Sequence, residues 1–141
     1  MNEVKLGGLR LPAVATSARD ARDMVALVAR TWGLTEIADS ARLAVSELVT
    51  NALLHTDPSP AEAVQLVLSR RGDLFRVEVH DSSTKPPRPR HPAEDAESGR
   101  GLLLIREMAD DHGFHLTPYG KAVWCEFKTD WPRDTAAGSD A

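Results

Sequence analysis

The 141-residue sequence predicts an α+β fold: a two-layer sandwich with a mostly antiparallel sheet and its helices on one face. Three observations predict it. Strand-like segments with period-2 alternation come in adjacent pairs separated by turn residues, so hairpins supply most of the sheet. Two early segments carry apolar residues at helical spacing. Helices and strands do not alternate one for one, as a doubly wound parallel sheet requires. The coarse order is β-α-α-β-β-loop-α-β-β.

Each element has its own signal. Leu9 and Leu11 flank Arg10 in a short alternating stretch, and Pro12 suits the edge of a sheet. Ser17 with Asp20 has the S-x-x-D form of a helix start. Met24, Leu27, Val28 and Thr31 continue at helical spacing, and Gly33 marks the stop. A second helix is expected from about Thr35 to His55, with Ile37, Ala41, Ala44, Val45, Leu48 and Ala52 on one stripe. Asp57-Pro58-Ser59-Pro60 ends it. Val64, Leu66 and Leu68 alternate, as do Phe75, Val77 and Val79, with Arg71-Gly72-Asp73 as the turn between them.

The second of these strands ends at Asp81. Residues 82–98 then lack periodicity: a basic, proline-rich run from Lys85 to Pro92 precedes acidic Glu94-Asp95-Ala96-Glu97. A loop of this length is functional or disordered. Ser98-Gly99-Arg100-Gly101 opens a third helix over Leu102 to Asp110. Gly113 restarts the chain. Phe114–Thr117 and Ala122–Phe127 form a last hairpin around Tyr119-Gly120-Lys121. These elements make one domain over residues 8–128, followed by a flexible tail over 129–141.

Composition narrows the function. Hydrophobic residues are 42% and charged residues 27%, enough for a packed core. Seventeen basic against twenty-one acidic residues give a net charge of −4, which argues against nucleic-acid or membrane-surface binding. One cysteine, Cys125, permits no internal disulfide or cysteine-rich zinc site. No segment has the length of a membrane span or a signal peptide. The expectation is a cytoplasmic protein. His112 and His115 are weak metal candidates, and Cys125 in an apolar strand reads as core.

Three features carry chemistry. On the second helix Glu47, Asn51 and His55 recur at i, i+4 and i+8 along one side. Asn51 borders the apolar stripe, where a polar group needs a partner. It reads as a satisfied core amide or as an oxygen ligand for a hard cation such as Mg2+. Glu47, one turn earlier, reads as exposed or as a proton acceptor. Asp81 reads as turn chemistry or as a buried acceptor for an exocyclic amine. Gly99-Arg100-Gly101-Leu102 reads as a hinge or as an anion site at a helix start. There is no G-x-x-x-x-G-K-[ST], so a P-loop is excluded.

Taken together and in order, these residues resemble the signature of the GHKL ATPases. Glu47 to His55 is similar to their N-box, Asp81-Ser82-Ser83 to the start of the first glycine box, and Gly99-Arg100-Gly101-Leu102 to the second. Within that superfamily the chain is most similar to stand-alone anti-sigma factor serine/threonine kinases of actinobacterial type. The resemblance implies a Bergerat ATP-binding fold with ATP and Mg2+ between helices and sheet. It gives Glu47 the role of general base and Asn51 that of Mg2+ ligand. Asp81 would receive the adenine amine. Residues 82–98 would be the ATP lid, with Ser83, Gly99, Arg100, Gly101 and Leu102 lining the nucleotide. Ser83 and Lys85 stand where the first box has glycines. The implied partners are a sigma factor and an antagonist protein phosphorylated on serine, and related regulators often dimerise. The alternative reading is a non-catalytic nucleotide- or partner-binding module on the same fold.

Overall fold

The computed structural model describes residues 2–55, 59–83 and 101–132. In chain order the elements are β1 (Glu3–Ala13), α1 (Ser17–Trp32), α2 (Ala38–His55), β2 (Ser59–Arg71), β3 (Leu74–Asp81), α3 (Gly101–Met108), β4 (Asp111–Thr117) and β5 (Gly120–Lys128). The five strands form one sheet in the order β1-β2-β3-β5-β4. Every neighbouring pair is antiparallel. The α+β sandwich expected from the hairpins is the observed architecture.

Alternation builds the core. Val64, Leu66 and Leu68 of β2, Phe75, Val77 and Val79 of β3, and Val123, Cys125 and Phe127 of β5 are all buried. The register puts Leu66 against Val79, Leu68 against Val77, Phe75 against Phe127 and Val77 against Cys125. The helices cover this face. Ala21, Val25, Val28 and Ala29 of α1 and Ala41, Ala44, Val45, Leu48, Val49 and Ala52 of α2 complete the apolar layer. Burial pushes the Cys125 thiol up to about 12, so it stays a protonated core residue.

Several expected boundaries shift. β1 is much longer than Leu9–Leu11, because pairing with β2 runs from Glu3 to Ala13 and overrides the poor strand propensity of Gly7 and Gly8. It lies at the sheet edge, where Pro12 is tolerated. Ser17 is the first helical residue rather than the cap. Thr16 precedes it, and the Ser17 hydroxyl donates instead to the Pro12 carbonyl at 2.7 Å. Gly33 ends α1 in the left-handed region at φ 72°, and the following Leu34 N–H returns to the Ala29 carbonyl at 2.8 Å. α2 begins at Ala38, not Thr35. Gly113 lies inside β4 rather than starting it, packed so that a Cβ would meet the Trp124 ring at 2.8 Å.

The boundary expected at residue 128 falls short of a core contact. The Thr129 N–H donates to the Asp73 carbonyl, and Trp131 is 7% exposed. Its ring meets Trp32 edge-on at 6.0 Å and lies 6.4 Å from Phe75, with the Arg70 guanidinium 4.3 Å above it. Residues 133–141 of the expected tail lie outside the described residues.

The opposite sheet face is a charge network. Arg76 reaches Glu126 at 3.0 Å and Glu78 at 2.8 Å, and Arg71 reaches Glu126 at 3.3 Å. The Arg76 guanidinium lies 4.2 Å from the Trp124 ring centre. His80 Nε2 contacts Glu78 at 2.5 Å. The bond from His80, then those from Arg76, hold the Glu78 carboxyl at about 2 against the opposing effect of burial. The ordinary value is 4.5. Below that pH the unfolded chain takes up this proton before the native one does. The stabilisation is therefore full above about pH 4.5 and is lost as pH falls towards 2. Thermal unfolding at pH 6 and pH 3 checks this: the drop in midpoint should be smaller in Glu78→Gln than in the wild type.

Candidate functional site

The end of β3 departs from the apolar pattern on the helix-covered face. Phe75, Val77, Val79 and Asp81 share that face by alternation, and so do Lys121, Val123, Cys125 and Phe127 of β5. The register sets Asp81 opposite Lys121, so each apolar stripe ends in a charge and the two charges meet. Lys121 Nζ donates to Asp81 Oδ1 at 3.0 Å, with both side chains 0% exposed. The Ser83 N–H donates to the same oxygen at 2.8 Å, closing a turn over the strand end. Asp81 Oδ2 is buried with no hydrogen-bond partner among the described residues.

The contrast with the other buried carboxylate is informative. Glu126 is 1% exposed, but Arg71 approaches its Oε1 and Arg76 its Oε2. A buried polar atom left unsatisfied costs about 1–3 kcal/mol. Glu126 avoids that cost, whereas Asp81 keeps one acceptor open. A carboxylate held this way can receive a donor from a ligand without rearranging.

Gly120 fixes the arrangement. Its φ is 157°, and a Cβ there would overlap the Asp81 carbonyl oxygen and come within 2.7 Å of the Ser82 backbone. The tip of the β4–β5 hairpin thus lies directly on the end of β3, which sets Lys121 in register.

The remaining candidates lie on neighbouring elements. Glu47 and Asn51 are half-buried on α2, which packs against β3, β5 and α3. Gly101 is the first residue of α3 and Leu102 the second. Gly99 and Arg100, and the loop before them from residue 84, lie outside the described residues. Asp81, Ser83 and Lys121 are in direct contact. Glu47 and Asn51 belong to the adjoining helical layer. His112 and His115, three apart on β4, fall on opposite faces of the strand and cannot share a ligand. A cavity of about 670 Å3 lies at the same end of the sheet, lined by Arg10, Gln65, His80 and Tyr119 and also by Asp81 and Ser82. Gln65 and His80 belong to the sheet face away from the helices, since they alternate with the core residues of β2 and β3.

Lys121 was missed in the sequence because it sat in an expected turn. Its signal was present all the same: it is the one charged member of the stripe 121, 123, 125, 127. Removing one member of a buried ion pair strands the other, at a cost of about 3–5 kcal/mol. Chemical denaturation should show Asp81→Ala and Lys121→Met each destabilised on that scale. The double variant should lose clearly less than the sum of the two.

Comparison with known proteins identifies the family. A family model described as a histidine kinase-like ATPase domain matches residues 11–127. The serine-protein kinase RsbW of Oceanobacillus iheyensis is 30% identical, over 73% of this chain and 74% of its own. The solved RsbU and RsbW domains of a Mycobacterium tuberculosis protein superpose with a TM-score of 0.65 at 17% identity, covering 89% of this chain. The chain spans about a third (33%) of that two-domain structure. The histidine kinase domain of the Erythrobacter litoralis blue-light activated kinase gives a TM-score of 0.51 at 20% identity, over 92% of this chain and 65% of its own. Both structures share the fold. With the family model spanning β1 to β5, the chain belongs to the histidine kinase-like ATPase domain family.

Proposed function

We propose that this protein binds Mg-ATP and acts as a regulatory serine/threonine kinase of the anti-sigma factor type. It would bind a sigma factor and phosphorylate a serine of an antagonist protein. The observation that carries the nucleotide reading is the buried Oδ2 of Asp81 on the helix-covered face, which has no partner among the described residues. An exocyclic amine supplies the donor this oxygen lacks. The similarity to serine-protein kinase RsbW supports the transfer reaction and the partner class.

The chemistry follows from the positions on α2. Glu47 and Asn51 are one helical turn apart, so their side chains project to the same side. The Asn51 amide oxygen suits Mg2+, a cation that prefers oxygen ligands. When bound, Mg2+ neutralises charge on the phosphates. Glu47 accepts the proton of the substrate serine hydroxyl as its oxygen bonds to the γ-phosphorus. The bond to the β-phosphate oxygen breaks and ADP leaves. Positioning and charge neutralisation are most of what such a transfer needs. The N-terminus of α3, with Gly99, Arg100, Gly101 and Leu102, would carry phosphate contacts. Ser83 holds the turn beside the base. Residues 82–98 would close over the nucleotide as a lid.

Calorimetric titration and a kinase assay test this reading. Wild type should bind Mg-ATP. Asn51→Ala should lose about tenfold or more in affinity, and only when Mg2+ is present. Glu47→Ala should keep nucleotide binding yet lose about 10²–10⁴-fold in phosphoryl transfer to the antagonist. Absence of binding at millimolar nucleotide would overturn the proposal. Binding without transfer to any cognate antagonist would overturn its catalytic half.

A further inference from the structure

We infer that Lys121 is the positioning residue that makes Asp81 selective for a nucleobase carrying an exocyclic amine. The inference deepens the ATP-binding proposal and rests on it. Three observations carry it. Lys121 is fully buried and bonds Oδ1, leaving Oδ2 as the acceptor without a partner among the described residues. The Ser83 N–H takes the same Oδ1, so two donors fix the rotation of the carboxylate from one side. Gly120 locks the hairpin tip onto the Asp81 backbone, which leaves Lys121 little freedom to slide.

The ammonium does two things here. It compensates the carboxylate's charge in a place water does not reach. It also occupies one oxygen, so the other is presented to the ligand in a single orientation. Adenine offers an amine at its six position. Hypoxanthine offers a carbonyl at the same place, and two acceptors facing one another in a buried site are unfavourable. Such a site rejects the wrong edge far more strongly than an apolar pocket could.

A structural role alone predicts something different. If Lys121 only held β3 against β5, its loss would weaken every nucleotide by a similar factor. A positioning role changes the ratio between nucleotides. The test is calorimetric titration with Mg-ATP and Mg-ITP, which differ in that one group of the base. Wild type should prefer Mg-ATP by about tenfold or more. Lys121→Met should narrow the preference to about threefold or less, and Lys121→Gln, which restores one N–H donor, should fall between them. If Lys121→Met is too unstable to titrate, Lys121→Gln alone carries the test, since it keeps Asp81 intact and should still narrow the ratio.

An unchanged ratio in Lys121→Met, or in Lys121→Gln where the former does not fold, would overturn the inference while leaving ATP binding intact. Failure of the wild type to bind either nucleotide would overturn the functional proposal and the inference with it.

Discussion

The antiparallel pairing of β3 with β5 is the constraint on which the rest of the structure depends. It sets Phe75 on Phe127, Val77 on Cys125, Val79 on Val123 and Asp81 on Lys121. The first three pairs fill the core, and the last ends it with a buried ion pair. A slip of one residue would exchange the two faces of a strand. Trp124 and Glu126 would then point at α2, and Val123 and Cys125 at solvent. The same register that buries the core thus delivers two charges, forty residues apart in sequence, to one point at the edge of the apolar layer.

The two sheet faces treat their charges differently. On the open face every oxygen of Glu126 has a guanidinium, and Arg76 is shared between Glu126 and Glu78. That network is closed on itself and lies over the back of the core. On the covered face, among the described residues, Asp81 is held by two donors on one oxygen. Among the described residues the buried side-chain atoms without a partner are this oxygen and Trp131 Nε1, so the open acceptor is particular to Asp81. An acceptor kept open at a cost is what recognition of a donor on a ligand requires. Asp81 ends the strand that packs against α2, the helix carrying Glu47 and Asn51, so the residues proposed to read the base and to act on the phosphates belong to adjoining layers.

Much of this was legible in the sequence. Periodicity located α1, α2 and the β2–β3 hairpin, because apolar spacing reports directly on which face is buried. Asp81 stood out as a charge ending an apolar strand. Lys121 escaped because its neighbours Tyr119 and Gly120 suggested a turn, and only pairing with β3 shows that it begins a strand. The length of β1 was hidden for a similar reason: Gly7 and Gly8 carry no strand signal, and β2 supplies the pairing. Ser17 marks the start of α1 as its motif suggests, but the partner of its hydroxyl, the Pro12 carbonyl, is set by how the chain enters α1. Trp131 reads as a core or partner contact, but nothing local says which residues it meets. Its partners Trp32 and Phe75 are far away in sequence.

The central claim is that Asp81 Oδ2 is the base-recognition atom. A crystal structure of the protein with Mg2+ and a non-hydrolysable ATP analogue tests it most directly. The account predicts the adenine amine within about 2.7–3.2 Å of Asp81 Oδ2, with Lys121 still bonded to Oδ1. An adenine bound away from Asp81, or an Asp81 carboxylate that keeps Oδ2 without a donor from the base, would contradict it.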